Sequence, residues 1–297
     1  MLILDFSGTV HSSVAVAFNP YKMRRSSLAD AFDEDGGEIS EGMIRHLILD
    51  SIRKTVVQFG REYGELVVAI DSKHYWRKDH FPYYKARRKK TRDDSKIDWK
   101  VVHGFIDKVK DEIYENMPYR VVGVNGAEGD DVIAELVRYK SPDEDVMIVS
   151  ADHDLLQLQK AIGTNVRQYD PIRKIELQET DPDRFLLEKI IKGDDGDDIP
   201  NVMMPDNTFV EKIRQKPMTA SRLEQFKIDL PNGVGEEDHL KYFKRNSLLI
   251  DLSRTPQSIR TEIRESYESQ AGKRRNRIMN YLIKNKMRKL LEAANEF

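Results

Sequence analysis

Short apolar runs that end in carboxylates punctuate the first two-thirds of the chain: LILD closes at Asp5, LVVAID at Asp71, and VMIVSADHD carries Asp152 and Asp154. Apolar runs of this length between polar residues read as buried strands, at residues 1–6, 66–70, 119–122, 146–150 and 166–169. Between them the apolar period lengthens to that of a helix. Ile44, Leu47, Ile48, Ile52, Val56 and Phe59 mark a helix over 40–59, with Ser40 as its N-cap. Asp98 caps a second through Asn116, and others are expected at 129–139, 154–160 and 183–193, the last stopping at Gly193. A polar loop is expected from the first strand to about residue 39, with DEDGGE its most soluble part. Alternating strands and helices predict an α/β fold with a mostly parallel central sheet flanked by helices and joined by right-handed crossovers. Beyond Pro200 strand signals vanish. The expected organisation is therefore an α/β domain over 1–200, with a basic segment near 72–100, and a helical region over 201–297.

Composition narrows the chemistry mainly by exclusion. There are no cysteines and only seven scattered histidines, so disulfides, thiol catalysis and cysteine-ligated zinc are ruled out, and no HExxH occurs. No run approaches the ~20 apolar residues of a membrane span. The first residues lack a basic n-region and cleavage site, so a cytoplasmic protein without membrane association is expected. Net charge is only −2, but it is unevenly spread: eight Lys and Arg against one acid from Arg77 to Arg92, and eight against none from Lys273 to Lys289. An acidic site flanked by basic segments suits a polyanion held beside bound cations.

In an open α/β sheet the strand C-termini share one edge, where ligands bind. Acids delivered there from several strands repel one another unless cations neutralise them. Asp5, Asp71, Asp152 and Asp154 are joined by Glu128, Asp130 and Asp131 in AEGDD and by Asp194, Asp195, Asp197 and Asp198 in KGDDGDDIP. Hard oxygen donors of this kind suit Mg²⁺, and two such ions about 4 Å apart clamp a phosphodiester. Taken singly, each acid has an ordinary reading as a cap, a turn residue or a partner of a helix dipole. Four clusters at element ends make a shared site the better account. The segment HYWRKDHFPYYKARRKKTR interleaves aromatic and basic residues, as single-strand binders do, and is expected to be exposed and mobile without a ligand. In the C-terminal basic run, Ile278, Tyr281 and Leu282 fall at helical spacing, so the run either buries one face or offers its cations to a ligand.

These motifs, in this order, resemble the 5′-nuclease superfamily of flap endonucleases and the 5′ nucleases of bacterial polymerases and phages. WRKDHFPYYKARR resembles the family's arch entrance, AEGDDVIA its acidic helix start, SADHDLLQL its S-x-D-x-D-x-x-Q-L motif, and KGDDGDDIPNV its GD-x-x-DNIPGV motif. Similarity to the phage ribonuclease H branch extends through IRHLILDSIRK, MPY and NEF. The resemblance implies a PIN-like core with a helical arch and a helical, DNA-binding C-terminal region. It implies Asp5, Asp71, Glu128, Asp131 and Asp152 as the inner metal site, with Asp130 a less constant member. Asp154, Asp194 and Asp197 would hold a second ion, largely through waters. Arg77 and Lys85 would contact the scissile phosphate, Trp76 or Tyr84 would stack on a base, and Arg87 and Arg88 would bind substrate.

Mg²⁺ is the implied cofactor, two ions with Mn²⁺ as a substitute. The implied reaction removes RNA primers and adjacent DNA at nicks and flaps, leaving 5′-phosphate and 3′-hydroxyl ends, by a monomer acting with a phage single-strand binding protein or sliding clamp. Two departures stand out. Asp198 replaces the family's Asn, and the glycine-rich hairpin with its potassium site is missing from NVMMPDNTFVEK, unless GVG at 233–235 displaces it. Two other classes share parts of this pattern. DFSGTV resembles a haloacid-dehalogenase nucleophile loop, but Ser7 stands where the general acid belongs; a non-catalytic DNA-junction binder would leave the acids unneutralised.

Overall fold

The computed structural model describes residues 1–17, 40–94, 98–160 and 165–297, the side chains of 89–92 and 160 excepted. The DEDGGE loop lies outside these residues. A six-stranded sheet forms the centre, in the order β3-β2-β1-β4-β5-β6: β1 (Leu2–Asp5), β2 (Leu66–Ala69), β3 (Arg120–Val122), β4 (Val146–Val149), β5 (Val166–Asp170) and β6 (Ile175–Leu177). All pairings are parallel except β5 with β6. Chain order reverses between β1 and β4, a switch point that opens a crevice at the strand C-termini.

The strands are apolar throughout because both faces are covered. Leu2, Leu4, Val68 and Val149 point into a layer built by α1 (Phe6–Ala17), α2 (Glu41–Tyr63) and α5 (Trp99–Asn116). Ile3, Val67, Val122 and Ile148 point into the opposite layer, against α6 (Gly129–Lys140) and the 3₁₀ helix His153–Lys160. Each such side chain, fully buried, contributes about 1.5–3 kcal/mol to folding. The expected caps are present: Ser40 accepts from Met43 N, Asp98 from Lys100 N and Val101 N, and Gly193 ends α7 (Pro182–Lys192).

Four expectations change. Residues 6–17 are helical where a polar loop was expected; FSGTVHSSVAVA hides its period behind small hydroxyl residues. Phe6, Val10, Val14 and Ala17 are buried, while Thr9 and Ser13 donate their hydroxyls to the carbonyls of Asp5 and Thr9 at 2.9 and 2.8 Å. DFSGTV is thus a strand-to-helix junction. The segment after Asp98 begins as expected, but 154–160 is 3₁₀ rather than α. A sixth strand forms a hairpin on β5, turned by Asp170. Finally, the basic segment is not fully exposed. It folds into α3 (Trp76–His80) and α4 (Ala86–Asp93), and Trp76, Arg77, Phe81 and Tyr84 are buried, because Phe81 and Tyr84 pack against α7 and α9 (Glu237–Ile250) and Trp76 packs in the α6 layer.

Beyond residue 200 the chain is helical, as expected. α8 (Ala220–Asp229) and α9 pack on α7, and the GVG segment lies in the connection between them. The later helices return to the sheet. α10 (Gln257–Glu268) joins the α6 layer, and just beyond it Gln270 bonds both backbone groups of Val121 at 3.0 and 2.8 Å. α11 (Ile278–Lys284) and α12 (Arg288–Glu292) join the α2 layer, and Ile278, Tyr281 and Leu282 are buried there. The C-terminal run therefore buries one face, with its cations around the edge. Among the described residues no helix is long and apolar enough to cross a membrane.

Candidate metal centre and arch entrance

Asp5 ends β1 and immediately precedes α1, so the first turn of that helix serves it. Gly8 N donates to its Oδ1 at 3.0 Å and Ser150 Oγ to its Oδ2 at 2.7 Å. Asp71 follows β2 and accepts from Gly129 N at the start of α6 and from the Ser7 hydroxyl. Ser150 also holds Asp152 N at 3.0 Å, and Asp152 in turn accepts from Asp154 N at 2.8 Å. Four separate chain segments therefore meet at the β1/β4 switch, each side chain pinned by a backbone N–H or a hydroxyl. Ser7 and Ser150 stand within the quoted motifs, but a role in orienting carboxylates is not legible from spacing.

Electrostatics mark the cluster as unfinished. Burial, reinforced by Asp71 and Asp152, pushes the Asp5 carboxyl up to about 6. Burial likewise raises Asp130 well above the ordinary carboxylate range, with Asp152 and Asp5 adding to the effect. Asp152 is raised too, by burial and by Asp197, against the opposing pull of Lys189. Like charges at close quarters that cannot all ionise call for cations. Two ammonium groups partly answer. Lys85 pairs with Glu128 and stands 3.5 Å from Asp197; Lys189 pairs with Asp154 and stands 2.9 Å from Asp194. As they stand, no three acids among the described residues close around one point. The donor set nonetheless fits hard divalent ions: all oxygen, from separate elements, and mutually repelling.

The AEGDD motif divides its acids in a way that spacing did not foretell. Glu128 is the N-cap of α6 and Asp131 its N3 residue, and the two form a reciprocal capping box. Asp131 therefore turns back from the cleft. Glu128 N donates to its Oδ2 at 3.0 Å, Trp76 Nε1 at 3.1 Å and Thr255 Oγ1 to its Oδ1 at 2.7 Å. Arg77 completes it with two bonds of 2.8 Å, and the guanidinium holds the Asp131 carboxyl below the ordinary range despite burial. Asp131 is thus saturated by protein donors, and Asp130 takes its expected place among the facing acids. A cleft lined by Tyr84, Glu128, Asp130, Asp154, Asp194 and Asp197 confirms which of the pair faces inward.

The arch entrance also departs from expectation. Arg77 is only 2% exposed; besides Asp131 it bonds Glu128 at 2.9 Å and the Leu249 carbonyl at 2.8 Å. It lines the cleft wall, with its guanidinium engaged by these protein partners. Trp76 and Tyr84 have buried rings with no free face for a base, and the Tyr84 hydroxyl donates toward Glu128 and Asp197 at 2.8 and 2.9 Å. Lys85 reaches two acids of the cleft wall, Glu128 and Asp197. Burial works against its charge, but Asp197 and Glu128 beside it hold its pKa above the ordinary lysine value. Arg87 and Arg88 are exposed and lie over the GDDGDD turn: Arg88 on Asp197, Arg87 on Asp198 and the Asp195 carbonyl. Asp197 N donates to Asp194 at 3.2 Å, so these two acids share the turn.

Comparison with known proteins bears on the chain's family and fold. Residues 34–189 match the family model of the 5′-3′ exonuclease N-terminal, resolvase-like domain, and residues 181–297 that of the T4 RNase H C-terminal domain. The chain is 33% identical to the ribonuclease H of Enterobacteria phage T4 over 275 residues, covering 89% of each. It is 27% identical over 197 residues to the DNA polymerase I of Bacillus subtilis, covering 62% of this chain and 21% of that one. The fold is shared with the phage T5 protein co-crystallised with metal ions, at TM-score 0.57 and 16% identity over 91% of this chain and 98% of that one. It is shared also with the phage T5 flap endonuclease in a pseudo-enzyme–product complex with DNA and metal ions, at TM-score 0.58 and 15% identity, with the same coverage of both chains. The chain therefore belongs to the 5′-3′ exonuclease family, with a nuclease-type N-terminal domain and a C-terminal domain of the T4 ribonuclease H kind.

Proposed function

We propose that this protein is a Mg²⁺-dependent 5′-3′ exonuclease and flap endonuclease that removes RNA primers and adjacent DNA from 5′ ends during phage replication, leaving 5′-phosphate and 3′-hydroxyl ends. The observation that carries this reading is the convergence of Asp5, Asp71, Asp130 and Asp152 at the sheet's switch point, with the carboxyls of Asp5, Asp130 and Asp152 raised by burial and by the neighbouring carboxylates. Asp5, Asp71, Glu128, Asp130 and Asp152 would hold one ion, and Asp154, Asp194 and Asp197 the second, with Mn²⁺ as a substitute. Bound there, divalent ions supply Lewis-acid polarisation of the phosphodiester and a water acidic enough to attack near neutral pH.

The chain's own groups do the rest. Ser7, Ser150 and the Gly8 and Gly129 amides orient the carboxylates before substrate arrives. Lys85 stands at the cleft between Glu128 and Asp197, where it offsets charge developing on the phosphate. Arg88, exposed near the start of α4, holds the 5′ strand, and the helical region holds the duplex. The working unit is a monomer in the host cytoplasm, and a phage single-strand binding protein or sliding clamp is its partner at the fork.

The test is an end-labelled nicked duplex with a 5′ flap, incubated with Mg²⁺ or EDTA, wild type beside Asp152→Asn. Short 5′ products that require Mg²⁺ and vanish in the variant are expected. Binding without cleavage in both Mg²⁺ and Mn²⁺ would leave a DNA-junction binder.

A further inference from the structure

Lys85 and Asp198 both have left-handed backbones, at φ 53° and φ 61°, and they face each other across the junction of the arch entrance with the GDDGDD turn. For side-chain-bearing residues that conformation costs roughly 1–2 kcal/mol and is held only where the surroundings fix it. Here the fixing contacts are specific. Lys85 N donates to the Asp197 carbonyl at 3.0 Å, docking the chain just before α4 onto the turn. Two residues on, Arg87 N donates to Asp198 Oδ2 at 2.8 Å and Arg87 Nε to Oδ1, so one carboxylate takes both a main-chain and a side-chain donor of the same residue. Asp198 is 1% exposed, and the Arg87 guanidinium lies 4.3 Å from the centre of the Phe209 ring, which backs the pair.

From this geometry we infer that Asp198 and Arg87 are a positioning clamp: they fix the start of α4 on the acidic turn and thereby set where Lys85 stands relative to Asp197 and Glu128. Asp198 does not line the metal cleft; it acts through Arg87 and the Lys85–Asp197 main-chain bond beside it. An amide at 198 would meet the Arg87 N–H and tolerate the left-handed backbone, but only a carboxylate also matches the guanidinium. The acid found at this position, where the family pattern has Asn, is accordingly explained by Arg87. Arg87 then spends its charge on Asp198 and is not a primary phosphate ligand.

The inference rests on the nuclease reading, and its test separates the two. Single-turnover cleavage of a 5′-flap duplex under saturating Mg²⁺ is compared with DNA affinity by fluorescence anisotropy, for Asp198→Ala, Arg87→Ala, the double variant and Asp198→Asn. Each alanine variant is expected to slow cleavage on the order of 10–100-fold, as misplacement of a catalytic group does. The double variant is expected to be no slower than the slower single one, affinity to change little, and Asp198→Asn to fall between wild type and Asp198→Ala. If Asp198→Ala does not fold, as judged by urea unfolding, Asp198→Asn and Arg87→Gln carry the same comparison.

The clamp is overturned if the two substitutions are additive. It is also overturned if Arg87→Ala weakens binding and flattens its salt dependence while Asp198→Ala leaves cleavage intact, the behaviour of a phosphate ligand. A wild type that does not cleave removes the nuclease reading instead. The clamp is then judged by amide exchange of residues 84–88, which must lose protection in Asp198→Ala for it to stand.

Discussion

Arg77 and Asp131 meet as a two-bonded pair, Nη1 to Oδ2 and Nη2 to Oδ1, each 2.8 Å, with 2% and 0% of the residues exposed. The pair joins α3 to the start of α6, and Arg77 Nε extends it to the Leu249 carbonyl at the end of α9. Thr255 reaches Asp131 from the segment before α10. The arch entrance, the acidic helix and the helical region are thus tied at one buried point beneath the cleft.

Breaking that pair should cost stability first. Arg77→Ala leaves a buried carboxylate without its counter-charge, and a loss of about 3–5 kcal/mol is expected. Urea unfolding measures it. A variant of native stability that binds DNA poorly would mean that Arg77 serves the phosphate after all.

Neighbouring acids should behave differently. Asp130→Asn removes a carboxylate from a crowded set, so the metal-free fold should be as stable as wild type or more so, while Mg²⁺-dependent cleavage is lost. Asp131→Asn should unfold at lower urea instead, because it weakens the Arg77 pair. Parallel denaturation and cleavage assays distinguish them, and identical phenotypes would contradict the division made by the capping box.

Lys85→Ala should slow single-turnover cleavage by roughly 10²–10³-fold, the usual effect of losing one preorganised electrostatic contact. DNA affinity should fall far less. An unchanged single-turnover rate would remove Lys85 from the reaction.

Lys273 offers a pH signature away from the cleft. Burial lowers its ammonium pKa to about 8, against a smaller raising effect of Glu65, and its Nζ donates to the Tyr114 carbonyl at 2.7 Å. The folded pKa lies below the unfolded one, so the folded state binds fewer protons between the two values. This group's contribution to stability is therefore gained as pH rises from about 8 toward the ordinary lysine value of 10.5. Competitive acetylation followed by mass spectrometry should show Lys273 titrating near 8, while exposed lysines titrate near 10. Coincident titration would refute its burial.

Binding of flap DNA should weaken steeply as salt rises, since each phosphate neutralised releases a counterion. Anisotropy titrations at several salt concentrations give the slope. A flat response would mean that the basic residues around α4 and α11 do not track the backbone.

Most of the sheet could be read along the chain. A strand buried on both faces must be apolar throughout, so β1, β2 and β4 are legible without any knowledge of their neighbours, and the acid that ends each apolar run is placed at the edge by the same logic. Helices with a clear apolar stripe, such as α2 and α5, and their Ser40 and Asp98 caps were equally visible. α1 was not, because serine, threonine and glycine blur its period, and the burial of its hydroxyls is made possible only by carbonyls one turn away.

Which acids face the cleft, and which cations can leave it, was settled by three-dimensional packing. Asp130 and Asp131 are chemically identical neighbours. The family resemblance favoured Asp131, yet an N3 carboxylate is drawn back to its own N-cap, and a buried guanidinium from residue 77 holds it there. Trp76, Arg77 and Tyr84 carry the same composition in an exposed arch or a buried one; contact with the α6 layer buries Trp76 and Arg77, and contact with α7 and α9 buries Tyr84. Local sequence constrains dihedral preference and apolar period, which act over a few residues. The partner of a charge is chosen by desolvation, which depends on whatever the rest of the chain brings alongside.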